Sequence, residues 1–146
     1  MAAFQRTVTV DWSGPIMEGK GIAKAGSGAF NLPVTFPSRI GEPNGTTSPE
    51  ELMAASHAAC YAMALNATVG RKGGKASRTV ISATIIADKG EAGIKLTTSK
   101  LHVVAEGVTG MDAAQFKEVA KEAEKSCPIS NALRGSLAIE LDVEVK

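Results

Sequence analysis

Strands, a long helix, more strands, an amphipathic helix and a last strand: this order predicts an α+β fold, in one domain spanning residues 1–146. Three observations carry it. Val8, Val10 and Trp12 alternate with Thr7, Thr9 and Asp11 near the N-terminus, an uncharged run fills residues 52–70, and Leu137, Ile139, Leu141, Val143 and Val145 alternate with polar neighbours at the end.

The elements follow in order. The first alternation is that of a half-buried strand. Gly14-Pro15 turns the chain, and residues 16–25 supply the hairpin partner. Residues 30–36 form a short strand that Pro33 confines to a sheet edge. Two prolines and two glycines make 37–47 an irregular loop, of a length often used for function. A helix then starts with Ser48 as N-cap, Pro49 at the first position and Glu51 completing a capping box, and Gly70 stops it. Strands at 79–88 and 94–106 flank a turn at 89–93. Asp112, with Gln115 three residues on, caps a helix whose apolar stripe is Phe116, Val119, Ala120, Ala123 and Cys127. Pro128 breaks that helix or begins a short new one, with Cys127 near its N-cap.

Composition narrows the function. Charged residues are 21% of the chain and the net charge is +1, so the clustered basic face of a nucleic-acid binder is not expected. The run 52–70 approaches the length of a membrane span, but Ser56, His57, Asn66 and Thr68 are costly in hydrocarbon, so a buried helix fits better. One modest sheet and one amphipathic helix cannot cover such a helix on every side, and dimerisation through it is the economical solution. The first residues alternate instead of forming an export signal, so a cytoplasmic location is expected, where thiols stay reduced.

The chemistry rests on two cysteines. Taken alone, Cys60 reads as an inert buried thiol, because reactivity needs a cation that lowers its pKa and the surrounding helix has none. Arg39 is the best donor, although a single arginine is ordinarily a solvated surface residue. Glu50 either complements the helix dipole or pins the Arg39 guanidinium in a bidentate grip. Ten residues of helix separate Glu50 from Cys60 by about 15 Å, so a shared site takes Glu50 from a second subunit. A functional Glu50 therefore predicts a dimer. His57, one turn before Cys60, suggests a Cys–His pair, but no acid orients it and a hydrogen-bonded structural histidine is the better reading. His57, His102 and the two cysteines lack the spacing of a zinc site.

The segment GTTSPEELMAASHAACYAMAL (45–65) resembles the signature of the OsmC/Ohr family, the osmotically inducible and organic hydroperoxide resistance proteins. EKSCPISNAL (124–133) is similar to the family's second cysteine motif. Arg39 shortly before the first motif, and His57 within it, resemble the OsmC branch. Ser48 departs from the usual Asn, and both residues cap well. The resemblance implies an OsmC-like fold, an intertwined homodimer with antiparallel sheets wrapped around long central helices. It implies a thiol peroxidase acting on organic hydroperoxides in oxidative or osmotic stress defence, with Cys60 peroxidatic and Cys127 resolving through a Cys60–Cys127 disulfide, and Arg39 and Glu50 completing the site. No metal, flavin or haem is implied. The resemblance also implies an external dithiol, such as a lipoylated protein, as the reductant. A redox-sensing or binding protein that uses the same dithiol without fast turnover is the alternative.

Overall fold

The computed structural model describes residues 3–146 and divides into two compact units, Met1–Leu52 and Met53–Lys146. The first holds β1 (Val8–Ser13), β2 (Lys20–Ala25), β3 (Asn31–Val34) and a short helix, α1 (Phe36–Ile40). The long helix α2 (Pro49–Arg71) contains the boundary. The second unit adds β4 (Arg78–Gly90), β5 (Gly93–Glu106), α3 (Ala113–Ser126), α4 (Pro128–Leu133) and β6 (Ala138–Val145). The α+β class follows.

In the first unit the strands form an antiparallel sheet in the order β1-β2-β3. Pro33 lies on the edge strand β3, where its missing N–H interrupts no ladder to a further strand. The expected buried face of β1 is absent. All six of its residues are exposed, Val10 at 56% and Trp12 at 40%. The expected irregular loop at 37–47 contains α1 at its start. Thr35 has an extended backbone and accepts from the Ser38 N–H through its hydroxyl at 3.3 Å, and a proline occupies the first turn. That N-cap lies just outside the Pro/Gly-rich stretch, which is why composition alone hid the helix.

The start of α2 falls where Ser48 and Pro49 predict. The Ser48 Oγ accepts from the Glu51 N–H at 3.1 Å. The Glu51 carboxylate accepts from the Thr47 hydroxyl at 2.8 Å, so the capping box is only half formed. Gly70 is not the stop. The left-handed residue is Gly73 (φ 82°), and bonds from the Gly74 N–H to the Val69 carbonyl and from the Gly73 N–H to the Gly70 carbonyl close a Schellman turn. Within a single chain the helix is covered on one side, as the shortage of covering elements predicts. His57, Tyr61, Leu65, Thr68 and Val69 form one buried stripe, while Met63 remains 74% exposed. No helix among the described residues is long and apolar enough to cross a membrane.

The second sheet runs β4-β5-β6 and is mixed. A two-residue turn makes β4 and β5 an antiparallel hairpin, with an irregularity at Ile86/Ala87. β6 pairs parallel to β5, which corrects the expectation of antiparallel sheets. The cause is the connection: α3 and α4 carry the chain back before β6 begins, as a parallel crossover requires. A complete capping box between Asp112 and Gln115 starts α3. Its Phe116, Val119, Ala120 and Ala123 pack with Tyr61, Leu65 and Val69 of α2 and Leu101, Val103 and Ala105 of β5. This is the core, and Cys127 is part of it.

Candidate active site

Cys127 lies at a break between two helices. Its φ of −73° and ψ of 117° end α3 and serve as the N-cap position of α4, because Pro128 cannot continue the preceding ladder. The thiol is fully buried. Cys60, partly buried on α2, packs against the core cluster that contains Cys127, and the Cys127 thiol and the Ile129 N–H at the start of α4 both act on its sulfur. Both cysteines are free thiols. Burial, first of all, pushes the Cys60 pKa up. The Ile129 N–H opposes this, and the neighbouring thiol adds to it. Cys60 in this chain is therefore a poorer thiolate than an ordinary cysteine.

Arg39 and Glu50 belong to the first unit. The Arg39 Nε donates to both Glu50 oxygens at 3.1 Å, and its Nη2 donates to Oε1 at 2.6 Å. This is the bidentate grip anticipated from sequence, made possible because α1 presents Arg39 in its last turn and α2 presents Glu50 in its first. The hydrogen bond holds the Glu50 carboxyl below its ordinary pKa and raises that of Arg39, with burial opposing both shifts. Nε and Nη2 are thereby occupied. The Nη1 amino group has no hydrogen-bond partner among the described residues, so one edge of a fixed guanidinium stays available for an anion or a peroxide oxygen.

His57 is not paired with Cys60 as a base. It is fully buried between two serines, with Nδ1 2.7 Å from the Ser99 Oγ and Nε2 2.7 Å from the Ser130 Oγ. A neutral ring donates to one hydroxyl and accepts from the other. Burial lowers its pKa, Glu124 raises it, and Arg134 lowers it again. The structural reading of His57 holds, with two serine hydroxyls as its hydrogen-bond partners. Sequence reasoning missed Ser99 and Ser130. Ser99 nevertheless carries a signal, because it shares the core-facing row of β5 with Leu101, Val103 and Ala105. A polar residue in such a row needs a buried partner. His102, on the same strand, is exposed and 2.8 Å from Asp142.

A model of the family described as OsmC-like protein matches residues 41–142. Peroxiredoxin OsmC of Escherichia coli (strain K12) is 36% identical over 137 residues, covering 92% of each chain. Organic hydroperoxide resistance protein-like 2 of Staphylococcus epidermidis is 32% identical over 117 residues, covering 78% of this chain and 80% of its own. Among solved structures, an organic hydroperoxide resistance protein OsmC from Legionella pneumophila, further described as a predicted redox protein and regulator of sulfide bond formation, superposes with a TM-score of 0.77 at 26% identity over 99% of both chains.

Proposed function

The chain belongs to the OsmC-like protein family, and we propose that it is a cysteine-based peroxidase that reduces organic hydroperoxides to alcohols. The observation that carries this reading is the packing of Cys60 against the core cluster that holds Cys127 at the α3–α4 break, where the two thiols influence one another. The names of the Escherichia coli and Staphylococcus epidermidis relatives support a peroxide-related role.

The Cys60 thiolate attacks the distal oxygen of the hydroperoxide. The O–O bond breaks, the alkoxide takes a proton and leaves as alcohol, and Cys60 carries a sulfenic acid. The Cys127 sulfur then displaces the sulfenic oxygen as water and forms the Cys60–Cys127 disulfide. An external dithiol, such as a lipoylated protein, restores both thiols by two exchange steps. A thiol whose pKa is raised by burial needs a cation to ionise, and the pinned Arg39 is the candidate. Because Glu50 and Cys60 stand about 15 Å apart along one helix, the Arg39–Glu50 pair that serves Cys60 belongs to the partner in a homodimer. The exposed apolar side chains Val10, Trp12 and Met63 support such a partner.

Consumption of cumene hydroperoxide with a dithiol as reductant tests the reading. Cys60→Ser is expected to reduce it to the uncatalysed background, and substantial turnover in that variant would remove Cys60 as nucleophile. A second reading is a redox sensor that uses the same pair of free thiols without fast turnover. Stoichiometric oxidation of the wild type without sustained turnover would select it.

A further inference from the structure

Two rungs join α2 to the start of α4. One is the packing of Cys60 against the cluster that contains Cys127, and the other is the 2.7 Å bond between the His57 Nε2 and the Ser130 Oγ. The spacing on both sides is the same. His57 precedes Cys60 by three residues on α2, and Ser130 follows Cys127 by three residues in α4. The second rung is itself braced, because the His57 Nδ1 is held by Ser99 of β5, also at 2.7 Å. All three of these polar residues are 0% exposed. Buried polar groups of this kind are bound directionally, so the ring cannot slide as an aliphatic side chain could.

We infer that His57 and Ser130 are positioning residues that set the separation at which the Cys60 and Cys127 sulfurs meet, and with it the stability of the disulfide between them. The inference rests on the two-thiol reading above. It concerns the resolving step, since the ring touches neither hydroperoxide nor Arg39 in that scheme. It also explains why a histidine, not a leucine, occupies this place in an apolar stripe: one ring bonds two hydroxyls on opposite sides and ties the sheet, α2 and α4 together.

The test is the midpoint potential of the full chain equilibrated in oxidised and reduced dithiothreitol, for wild type, Ser130→Ala, Ser130→Thr and Ser99→Ala. Ser130→Ala is expected to weaken the 60–127 disulfide about tenfold, which is about 30 mV toward easier reduction. Ser130→Thr, which keeps the hydroxyl, should restore most of it. Ser99→Ala removes one bond from the same ring but leaves the α2–α4 rung, so it should lose similar stability in urea while moving the potential much less. An unchanged potential in Ser130→Ala, or an equal shift in Ser99→Ala, would overturn the inference. Should Ser130→Ala not fold, His57→Gln carries the same comparison: a shift toward easier reduction larger than that of Ser99→Ala supports the rung, and none overturns it. Dithiothreitol makes and breaks the disulfide without peroxide. A wild type that cycles in dithiothreitol but consumes no hydroperoxide would therefore sink the peroxidase reading alone, while one that forms no 60–127 disulfide under any oxidant would sink the inference.

Discussion

The two units are built on opposite plans. In Met1–Leu52, Ala23 is the one buried hydrophobic side chain among the described residues, and β1 is exposed along its whole length. In Met53–Lys146, a helix stripe, a second helix and the central strand of a mixed sheet enclose Tyr61, Leu65, Leu101, Val103 and Phe116 completely or nearly so. The proposed chemistry is divided along the same line: the charged pair Arg39–Glu50 sits in the open unit, and both thiols sit in the enclosed one. A three-stranded sheet that buries only Ala23 among its hydrophobic side chains gains little from hydrophobic burial. The enclosed unit therefore packs around both thiols by itself, whereas the open unit fixes Arg39 through Glu50 but leaves β1 without cover. In our proposal a second copy supplies that cover.

Separating the charged pair from the thiols should have the largest effect. Arg39→Ala should lower kcat/KM for cumene hydroperoxide by about 100-fold or more, the usual loss when a charge-stabilising donor is removed. Mixing that variant with Cys60→Ser and allowing subunit exchange should then restore activity, because the mixed dimer holds one site with both an intact Arg39 and an intact Cys60. Absence of recovery would place both residues' action within one chain.

A second contrast concerns stability. Phe116→Ala should destabilise the protein by about 3–5 kcal/mol, independent of protein concentration. Val10→Asp changes a residue already 56% exposed in the single chain, where a surface substitution costs within about 0.5 kcal/mol. It should instead shift the protein to monomer in sedimentation and lower activity. A fully dimeric Val10→Asp protein would show that β1 is not covered by the partner.

The smallest expected effect is on pH dependence. Burial depresses the folded-state pKa of His57 below its ordinary 6.5, so the unfolded chain binds the proton first as pH falls. The stability from neutral, buried His57 is present above pH 6.5 and is lost as pH drops through the folded value. Urea midpoints measured downward from neutral pH should therefore fall in wild type and fall less in His57→Gln. Parallel curves would assign that acid sensitivity elsewhere.

Much of this was legible in local sequence. Ser48-Pro49 and Asp112 with Gln115 mark helix starts with side chains that satisfy nearby N–H groups, so a few residues determine them. Cys127-Pro128 likewise marks the α3–α4 break. What escaped depended on distant partners or on competing local signals. The parallel pairing of β6 is decided by a crossover through two helices, and the exposure of β1 is invisible to an alternation that promises one buried face. Gly70 and Gly73 are both plausible stops by composition, and only Gly73 takes the left-handed conformation. The grip of Glu50 on Arg39 was anticipated as one of two roles, and the bond distances select it. Ser130 lies within the second cysteine motif, yet its bond to His57 spans 73 positions and no pattern along the chain reveals it.

The central claim is that Cys60 and Cys127 form a peroxide-reducing couple. Mass spectrometry after one equivalent of cumene hydroperoxide addresses it most directly. A loss of two hydrogens mapped to a peptide pair joined through Cys60 and Cys127 is expected, and in Cys127→Ser an oxygen added at Cys60 instead. A wild-type chain left as two free thiols, or oxidised at Cys60 with Cys127 untouched, would contradict it.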